Sequence, residues 1–396
     1  MHETTRQVRA MYEKYPYPPR HPAEMMDMHP YLALSYLETR LPVEGKLKIL
    51  DAGCGTGAIC LGTALCNPLA HITAVDLNRQ ALQRIRAESL GLGLQNLQVE
   101  EVDLMTLEGL SSPSGGFDVI ISSGVLHHLA DPQTGLTQLA QHLAPGGVMR
   151  VMVYNRFGRQ GLTRFVDGLD QLHQSRQELE ARLTLGRQVM RGLPEHSPVH
   201  APPFSDGSAA GDEEFVDRYL NLSDRSYSTA EFMHMIEEAG LCFMRWWEPR
   251  QWGLEALSSD PTLRRDLAQV PREQVWAAIE LLTNQCQMDL YLCRPGAQAR
   301  APVDLRGSTV ALSPQSSLRT SRRMTGPLLF HYHDEVAVRE VAPRFLNDLE
   351  KRIIDLASPR PARVEAMLEQ LDDPQPQVLQ TLDGLLQEEV LYHPLS

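Results

Sequence analysis

The stretch Leu50-Asp51-Ala52-Gly53-Cys54-Gly55-Thr56-Gly57 constrains this chain more than any other. A short apolar run, LKIL, leads into Asp51, and the helix-like Ala58–Cys66 follows. Glycines accept backbone angles that other residues resist, and they let a ligand approach the main chain. Such a loop, between a strand and a helix, lies at the carboxyl edge of a sheet, where folds of this kind bind ligands. By itself the loop leaves two readings open. Gly53, Gly55 and Ala58 also satisfy the dinucleotide pattern G-x-G-x-x-G/A. Asp76, ending the apolar run HITAVD, would hold ribose hydroxyls under either one.

From Lys46 to Tyr154 the rhythm is strand, helix, strand. The spacing predicts a helix over Asn78–Leu90, with apolar residues at 81, 82, 85 and 87. LQVEEVD, FDVIISSG and VMRVMVY read as the third, fourth and fifth strands. Alternating strands and helices imply a parallel sheet covered on both faces. Right-handed crossovers then restrict the topology to a doubly wound one. A helix at Ser228–Ala239, ended by Gly240, precedes LCFMRWWEP and MDLYLCRP, which supply the last two strands. The expected architecture is α/β: a doubly wound, mostly parallel, Rossmann-like seven-stranded sheet within residues 46–297.

Four additions flank or interrupt that sheet. Residues 1–45 read as a helical cap, where Tyr12, Tyr15 and Tyr17 alternate with Pro16, Pro18 and Pro19. The prolines make YPYPPR an extended or turning segment laid on a surface. Residues 156–227 form an insertion or lid, with a polar helix at Leu169–Arg191 and then the loop PEHSPVHAPPFSDGSAAGDEE. Residues 298–325 read as a polar linker. Residues 326–396 read as a small, mainly helical, winged-helix-like domain with helices near 343–357, 361–371 and 376–389.

What decides the chemistry lies beyond the glycine loop. Asp103 closes the third strand, where a contact to an adenine amino group would lie. Phe117-Asp118-Val119-Ile120-Ile121 leads into Ser122-Ser123-Gly124-Val125-Leu126-His127-His128-Leu129, and Leu143-Ala144-Pro145-Gly146-Gly147 turns into the fifth strand. In this order, over Leu47–Tyr154, the set resembles the class I S-adenosylmethionine-dependent methyltransferase family. Each piece is weak alone, and the combination is specific. The resemblance implies S-adenosyl-L-methionine as cofactor. Its methionine portion would meet Asp51, Gly53, Cys54, Gly55, Thr56 and Gly57. Asp76, with Leu77 beside it, would grip the ribose hydroxyls. Asp103 and Leu104 would frame the adenine, and Ser122, Ser123 and Gly124 would floor the site near the sulfonium. The flanks are similar to a bacterial subgroup with a Tyr-Pro-Tyr-Pro segment, a likeness that reaches Asp224-Arg225-Ser226-Tyr227-Ser228.

Methyl transfer from a sulfonium is an in-line displacement, so alignment and exclusion of water carry most of it. A nearby base helps where the acceptor loses a proton. His127 and His128 are candidates, because imidazole titrates near neutrality; the plainer alternative is that they cap the turn after the fourth strand. Tyr17 and Tyr15 would close over the cofactor and shape the acceptor pocket, or simply anchor the N-terminus. Tyr154, Asn155 and Arg156 end the fifth strand on the ligand face. Arg156 suits an acceptor carboxylate or phosphate, or else a surface ion pair. Arg225 and Tyr227 would reach the same pocket, or form a turn and helix cap at Ser228. Trp246 and Trp247 should face opposite sides of their strand. His196-x-x-x-His200 and His331-x-His333-Asp334 lack further ligands nearby, so no metal is expected.

Composition narrows the partners. The 396 residues carry a net charge of −13, and lysine occurs only at 14, 46, 48 and 351. An acidic surface repels phosphate backbones, so nucleic acid is not an expected partner. Nor does any lysine or arginine follow Arg363, which suits packing, homodimer formation or protein binding by the tail rather than DNA contact. Six cysteines without a C-x-x-C pair read as reduced thiols. With no signal-like or membrane-spanning apolar run, a cytoplasmic location without membrane contact is expected. The expected function is methyl transfer to oxygen or nitrogen of a small molecule. The alternative is a protein or peptide acceptor recruited by the tail. An NAD-linked oxidoreductase and a non-catalytic binding module are the remaining rivals.

Overall fold

A computed structural model describes residues 2–19, 47–66, 70–173, 175, 178–200, 211–296, 305–307, 309–312, 316–326, 329–338, 344–358, 360–387 and 390–392. The chain divides into two compact units, one comprising Met1–Asp27 and Val43–Gln298 and the other including Ala299–Ser396. The expected cap beyond residue 19 and the loop at 201–210 lie outside the described residues.

The first unit is built on a seven-stranded sheet of order β3-β2-β1-β4-β5-β7-β6. Its strands are β1 (Lys48–Ala52), β2 (His71–Asp76), β3 (Leu97–Glu101), β4 (Phe117–Ser123), β5 (Leu143–Tyr154), β6 (Cys242–Trp246) and β7 (Gln287–Cys293). β1 to β5 pair in parallel, and β7 runs antiparallel to both β5 and β6. Ile49, Leu50, Ile72, Ala74, Val75 and Ile120 are wholly buried. Strands covered on both faces need unbroken apolar runs rather than alternation. The strand order reverses between β1 and β4, and that switch point opens a crevice at their carboxyl ends.

Local signals place the helices. Between β1 and β2 runs α2 (Ala58–Cys66), and α3 (Arg79–Gly91) follows β2. The Asn78 side chain caps α3 by accepting from the Gln80 and Ala81 amides. Asp131 caps α4 (Pro132–His142) in the same way, with proline at the first turn where no donor is needed. Trp246 stacks on Trp252 at 4.2 Å, while Trp247 lies beneath the Arg150 guanidinium at 3.5 Å. The two indoles thus leave the strand on opposite sides, and both are buried.

Among the described residues, the insertion holds three α-helices: α5 (Gln160–Leu172), α6 (Leu179–Gly192) and α7 (Asp212–Leu220). A single helix over Leu169–Arg191 was expected. HQSRQE, between Leu172 and Leu179, offers no apolar side chain to hold a continuous helix against a core. These helices build an apolar cluster of their own with the N-terminal α1 (Glu3–Lys14). Met11 of α1 joins Leu162, Phe165, Leu169, Met190, Phe215 and Tyr219 there. α8 (Thr229–Glu238) and α10 (Arg272–Leu282) pack on the sheet core with Phe232 and Trp276, and the short α9 (Pro261–Leu267) lies between them in the chain.

The second unit contains α11 (Asp348–Ala357), α12 (Val364–Gln370) and α13 (Gln375–Gln387), close to the expected positions. A three-stranded sheet accompanies them, ordered β12 (Ala362–Arg363), β8 (Thr309–Leu312), β13 (Leu391–Tyr392). A second sheet is formed by β9 (Ser316–Gly326), β10 (Leu329–Val338) and β11 (Arg344–Phe345). β8 and β9 lie where a linker was expected. SSLRTSRRMTG has too few apolar residues to show a strand's period of two. The side chains of His331, His333 and Asp334 lie outside the described residues. Among the described residues, no helix is long and apolar enough to cross a membrane.

Candidate active site

The turn after β1 forms the base of the crevice. Gly53, Gly55 and Gly57 all adopt positive φ, at 85°, 51° and 95°. A side chain at Gly53 would meet Val125 at 2.5 Å, and one at Gly57 would meet Ile85 at 2.6 Å. The turn is therefore closed to anything larger than hydrogen. Thr56 Oγ1 donates to the Pro18 carbonyl at 3.2 Å, and the Tyr17 carbonyl lies 3.2 Å from where a Gly55 Cβ would stand. The YPYP segment is thus laid directly on the glycine turn. Asn78 Nδ2 donates to the Tyr12 carbonyl at 3.1 Å and ties α1 to the same edge.

Asp51 and Asp76 flank this turn, and a third acid, Asp103, follows β3. Asp76 Oδ2 accepts from the Gly55 amide at 2.9 Å and Oδ1 accepts from the Asn78 amide at 2.8 Å. Burial raises the Asp76 carboxyl above its usual range, opposed by those amides. Asp51 is pushed up to about 7, first by burial and then by Asp76, and its Oδ2 has no hydrogen-bond partner. Asp103, two residues beyond β3, accepts from the Met105 amide at 3.0 Å, with Leu104 buried beside it and Leu77 following Asp76 half-buried. Across the crevice, Ser122 Oγ is buried and unpartnered, followed by half-buried Ser123 and by Gly124 at φ 74°. Cys54 is buried with its thiol against Cys60; that hydrogen bond and burial push the Cys54 thiol well up, while the Cys60 thiol, lowered by Cys54, is still left raised by burial and Asp51.

A second polar cluster adjoins the first. His127 is fully buried, and neither ring nitrogen has a partner. Its ring lies 3.9 Å from that of Tyr154 and 4.2 Å from that of His128. Burial, then His128 and Arg159, hold its imidazole well below the usual range, so it is neutral at pH 7. His128 Nδ1 lies 2.7 Å from the Ser223 carbonyl; a carbonyl only accepts, so that nitrogen carries the proton. The Arg159 guanidinium covers the Tyr154 ring at 3.5 Å and pairs with Asp224 at 3.0 Å. Tyr12 donates to Asp217 Oδ1 at 2.7 Å and accepts from Asn221 Nδ2 at 2.9 Å. Tyr17 hydrogen-bonds Glu214 and faces Asp217; burial raises its phenol, as it raises those of Tyr12 and Tyr154.

The structure separates the acceptor candidates. Tyr17, Tyr154, His127 and His128 share this cluster. Tyr15 instead packs with α1 on the insertion's apolar cluster. Asn155 is structural: its Nδ2 donates to Glu280 at 2.9 Å and its Oδ1 accepts from the Phe157 and Gly158 amides. Arg156 pairs with Glu231 at 2.7 Å, and Arg225 donates to the Leu129 and Ala130 carbonyls. Tyr227 stacks on Phe232, buried in the sheet core. These groups are committed to the protein's own acids, carbonyls and core, so an anion-binding role for Arg156 or Arg225 has no geometric support.

Sequence reasoning missed Arg159, Asp217, Asn221 and Asp224, and it gave Tyr12 no role at the site. A carboxylate inside the apolar run of FVDRYL was the available signal for Asp217. His127, His128 and Asp224 offer ligand atoms within 4.8 Å of one another, a grouping that the sequence did not suggest. Asp224 already neutralises Arg159, and the His128 Nδ1 proton points to Ser223. His128 Nδ1 stands 3.8 Å from Asp224 Oδ1, and His127 packs on the His128 ring without a hydrogen bond.

A doubly wound sheet with a glycine turn at its switch point, and acids after β2 and β3, defines a class of nucleoside-binding proteins. The family described as "Methyltransferase domain" matches residues 50–149. An uncharacterized protein of Synechococcus sp. is 31% identical over 290 residues, covering 70% of this chain and 69% of that one. A ubiquinone biosynthesis O-methyltransferase of Marinobacter nauticus is 32% identical over 130 residues, 33% of this chain and 52% of that protein. The solved structure of PKMT2 from Rickettsia typhi in complex with AdoHcy shares the fold, with a TM-score of 0.62 at 16% identity over 96% of this chain and 77% of that one. Residues 50–149 therefore belong to the methyltransferase-domain family.

Its cofactor is S-adenosyl-L-methionine, and the residues present fit it. Glycine at 53, 55 and 57, each at positive φ, keeps side chains off the turn. Asp51 Oδ2 and Ser122 Oγ are buried atoms with hydrogen-bonding capacity to spare, as a zwitterionic ligand requires.

Proposed function

We propose that this methyltransferase acts on nitrogen or oxygen of a small molecule enclosed by α1, the insertion and the loop after β4. The carrying observation is a buried polar cluster: Tyr12 and Tyr17 from the N-terminal segment, Tyr154 from β5 and Asp217 from α7 converge on His127 and His128. An enclosure lined by buried side chains suits a compact acceptor that water cannot follow. The relative named a ubiquinone biosynthesis O-methyltransferase supports a small-molecule acceptor.

When bound, S-adenosyl-L-methionine supplies an electrophilic methyl carbon on a positively charged sulfur. The chain's residues do the rest by position. The YPYP segment closes the glycine turn from above. Tyr154, held between the Arg159 guanidinium and the His127 ring, presents a rigid wall. His127, kept neutral by burial, retains one nitrogen able to accept a proton or hydrogen bond. His128 is positioned by Ser223 and orders the loop that carries both histidines.

Methyl-labelled cofactor incubated with the full chain and a cell extract tests this reading. Label is expected in dialysable products. Label confined to polypeptide would contradict it and favour the second reading, in which the separate C-terminal unit recruits a peptide.

A further inference from the structure

We propose that the acceptor is an amine, bound as its ammonium ion by Asp217 within the ring of Tyr12, Tyr17, Tyr154, His127 and His128. This rests on the methyl-transfer reading above and names the chemistry that its acceptor pocket selects.

The charge pattern carries the argument. Three carboxylates border the cluster. Asp224 is neutralised by Arg159 and Glu214 by Arg218. Asp217, only 5% exposed, has no lysine or arginine partner among the described residues; its Oδ1 accepts from the neutral Tyr12 hydroxyl. A buried carboxylate without a cation is costly, and a ligand cation offsets that cost. An acceptor alcohol or phenol would leave Asp217 with only the His128 imidazole and the Tyr12 hydroxyl to offset its charge, and an acceptor carboxylate or phosphate would add repulsion. The arginines that could have received an anion are already paired: Arg156 with Glu231, and Arg159 with Asp224.

The neutral walls point the same way. Aromatic faces attract cations, and the Tyr154 ring already carries the Arg159 guanidinium at 3.5 Å. Tyr12 and His128 stand edge to face at 6.3 Å, and His127 meets His128 at 4.2 Å. His127 is a second, independent pointer to a ligand. It is fully buried, touches both Tyr154 and His128, and has two unpartnered ring nitrogens. A neutral imidazole accepts a hydrogen bond, which an ammonium N–H donates.

The transfer balances as follows. The bound ammonium first gives one proton to Asp217, whose carboxyl is raised above its usual range by burial and by Asp224 and Glu214, with His128 and Tyr12 opposing. The freed nitrogen lone pair forms the N–CH3 bond while the CH3–S bond breaks and its electron pair stays on sulfur. The products are a methylammonium ion and a neutral thioether, and Asp217 returns its proton to water.

The test is calorimetry on the full chain saturated with S-adenosylhomocysteine, titrated in turn with n-butylammonium, 1-butanol and butyrate. Butylammonium should bind saturably, and the alcohol and the carboxylate should not. Asp217→Asn, which keeps the shape, should weaken butylammonium by more than about tenfold and leave S-adenosylhomocysteine affinity unchanged. The unaltered chain's preference decides the matter even if that variant fails to fold. Butanol or butyrate binding as tightly as butylammonium, or an Asp217→Asn protein that binds butylammonium undiminished, would overturn the proposal. With labelled cofactor, transfer to a phenol or alcohol but to no amine would sink the amine alone. Failure of S-adenosylhomocysteine to bind would remove the methyl-transfer reading and this inference with it.

Discussion

Asp51 lies at the end of β1 among buried apolar strands, and its carboxyl titrates near pH 7 because burial and Asp76 disfavour the charged form. A folded-state value above the unfolded one means that the native protein binds this proton more tightly. Asp51 therefore lowers stability as pH rises from about 4 to about 7. A cationic group bound beside it reverses the balance. Cofactor affinity is expected to rise between pH 6 and pH 7.5 and then level off, with a proton released on binding below about pH 7. Calorimetry in buffers of different ionisation enthalpy counts that proton; a flat affinity across the range would remove Asp51 from the cofactor's charged end. Asp76 contributes differently, because its two oxygens hold the Gly55 and Asn78 amides. Asp76→Ala should weaken S-adenosylhomocysteine by about 2 kcal/mol or more while the circular dichroism spectrum stays native. Unchanged affinity would contradict the assigned role.

At the scale of elements, the sheet and its helices announce themselves through period and caps, and the acceptor side does not. Ser228 and Glu231 form a reciprocal capping box on α8, and Glu231 also holds Arg156. Ser228→Ala should cost about 1 kcal/mol and lower the melting temperature by a few degrees without altering cofactor affinity. An equal loss of cofactor affinity would mean that Asp224–Ser228 belongs to the site. Tyr12 links α1 to α7 through Asp217 and Asn221. Tyr12→Phe leaves that carboxylate without its hydroxyl donor and should cost about 1–3 kcal/mol, read by thermal denaturation. The glycine turn, Asp76 and Asp103 were legible because each stands at or just past the carboxyl end of a successive strand in the strand–helix repeat. Asp217 and Arg159 were not, because they meet Tyr12 and Tyr154 only through tertiary packing of three insertion helices. The partners of Arg156 and Arg225 were not legible for the same reason: Glu231 and the Leu129 and Ala130 carbonyls lie in segments far along the chain.

Across the whole molecule, the mostly parallel seven-stranded sheet follows from the strand–helix rhythm of the sequence. The tail's helices carry enough buried leucine, isoleucine and valine to be read from sequence, whereas β8 and β9 are short or polar and were read as linker. A chain ending at Gln298 should keep its affinity for S-adenosylhomocysteine and its transfer to a small amine. Loss of transfer with binding retained would instead assign acceptor recruitment to the second unit.

The central claim is that the turn between β1 and α2 holds a sulfonium nucleoside. Calorimetric titration of the full chain with S-adenosylhomocysteine and, separately, with NAD tests it most directly. Saturable binding of S-adenosylhomocysteine at one site per chain, with no heat from NAD, is the predicted result. Saturable binding of NAD, with none of S-adenosylhomocysteine, would contradict it.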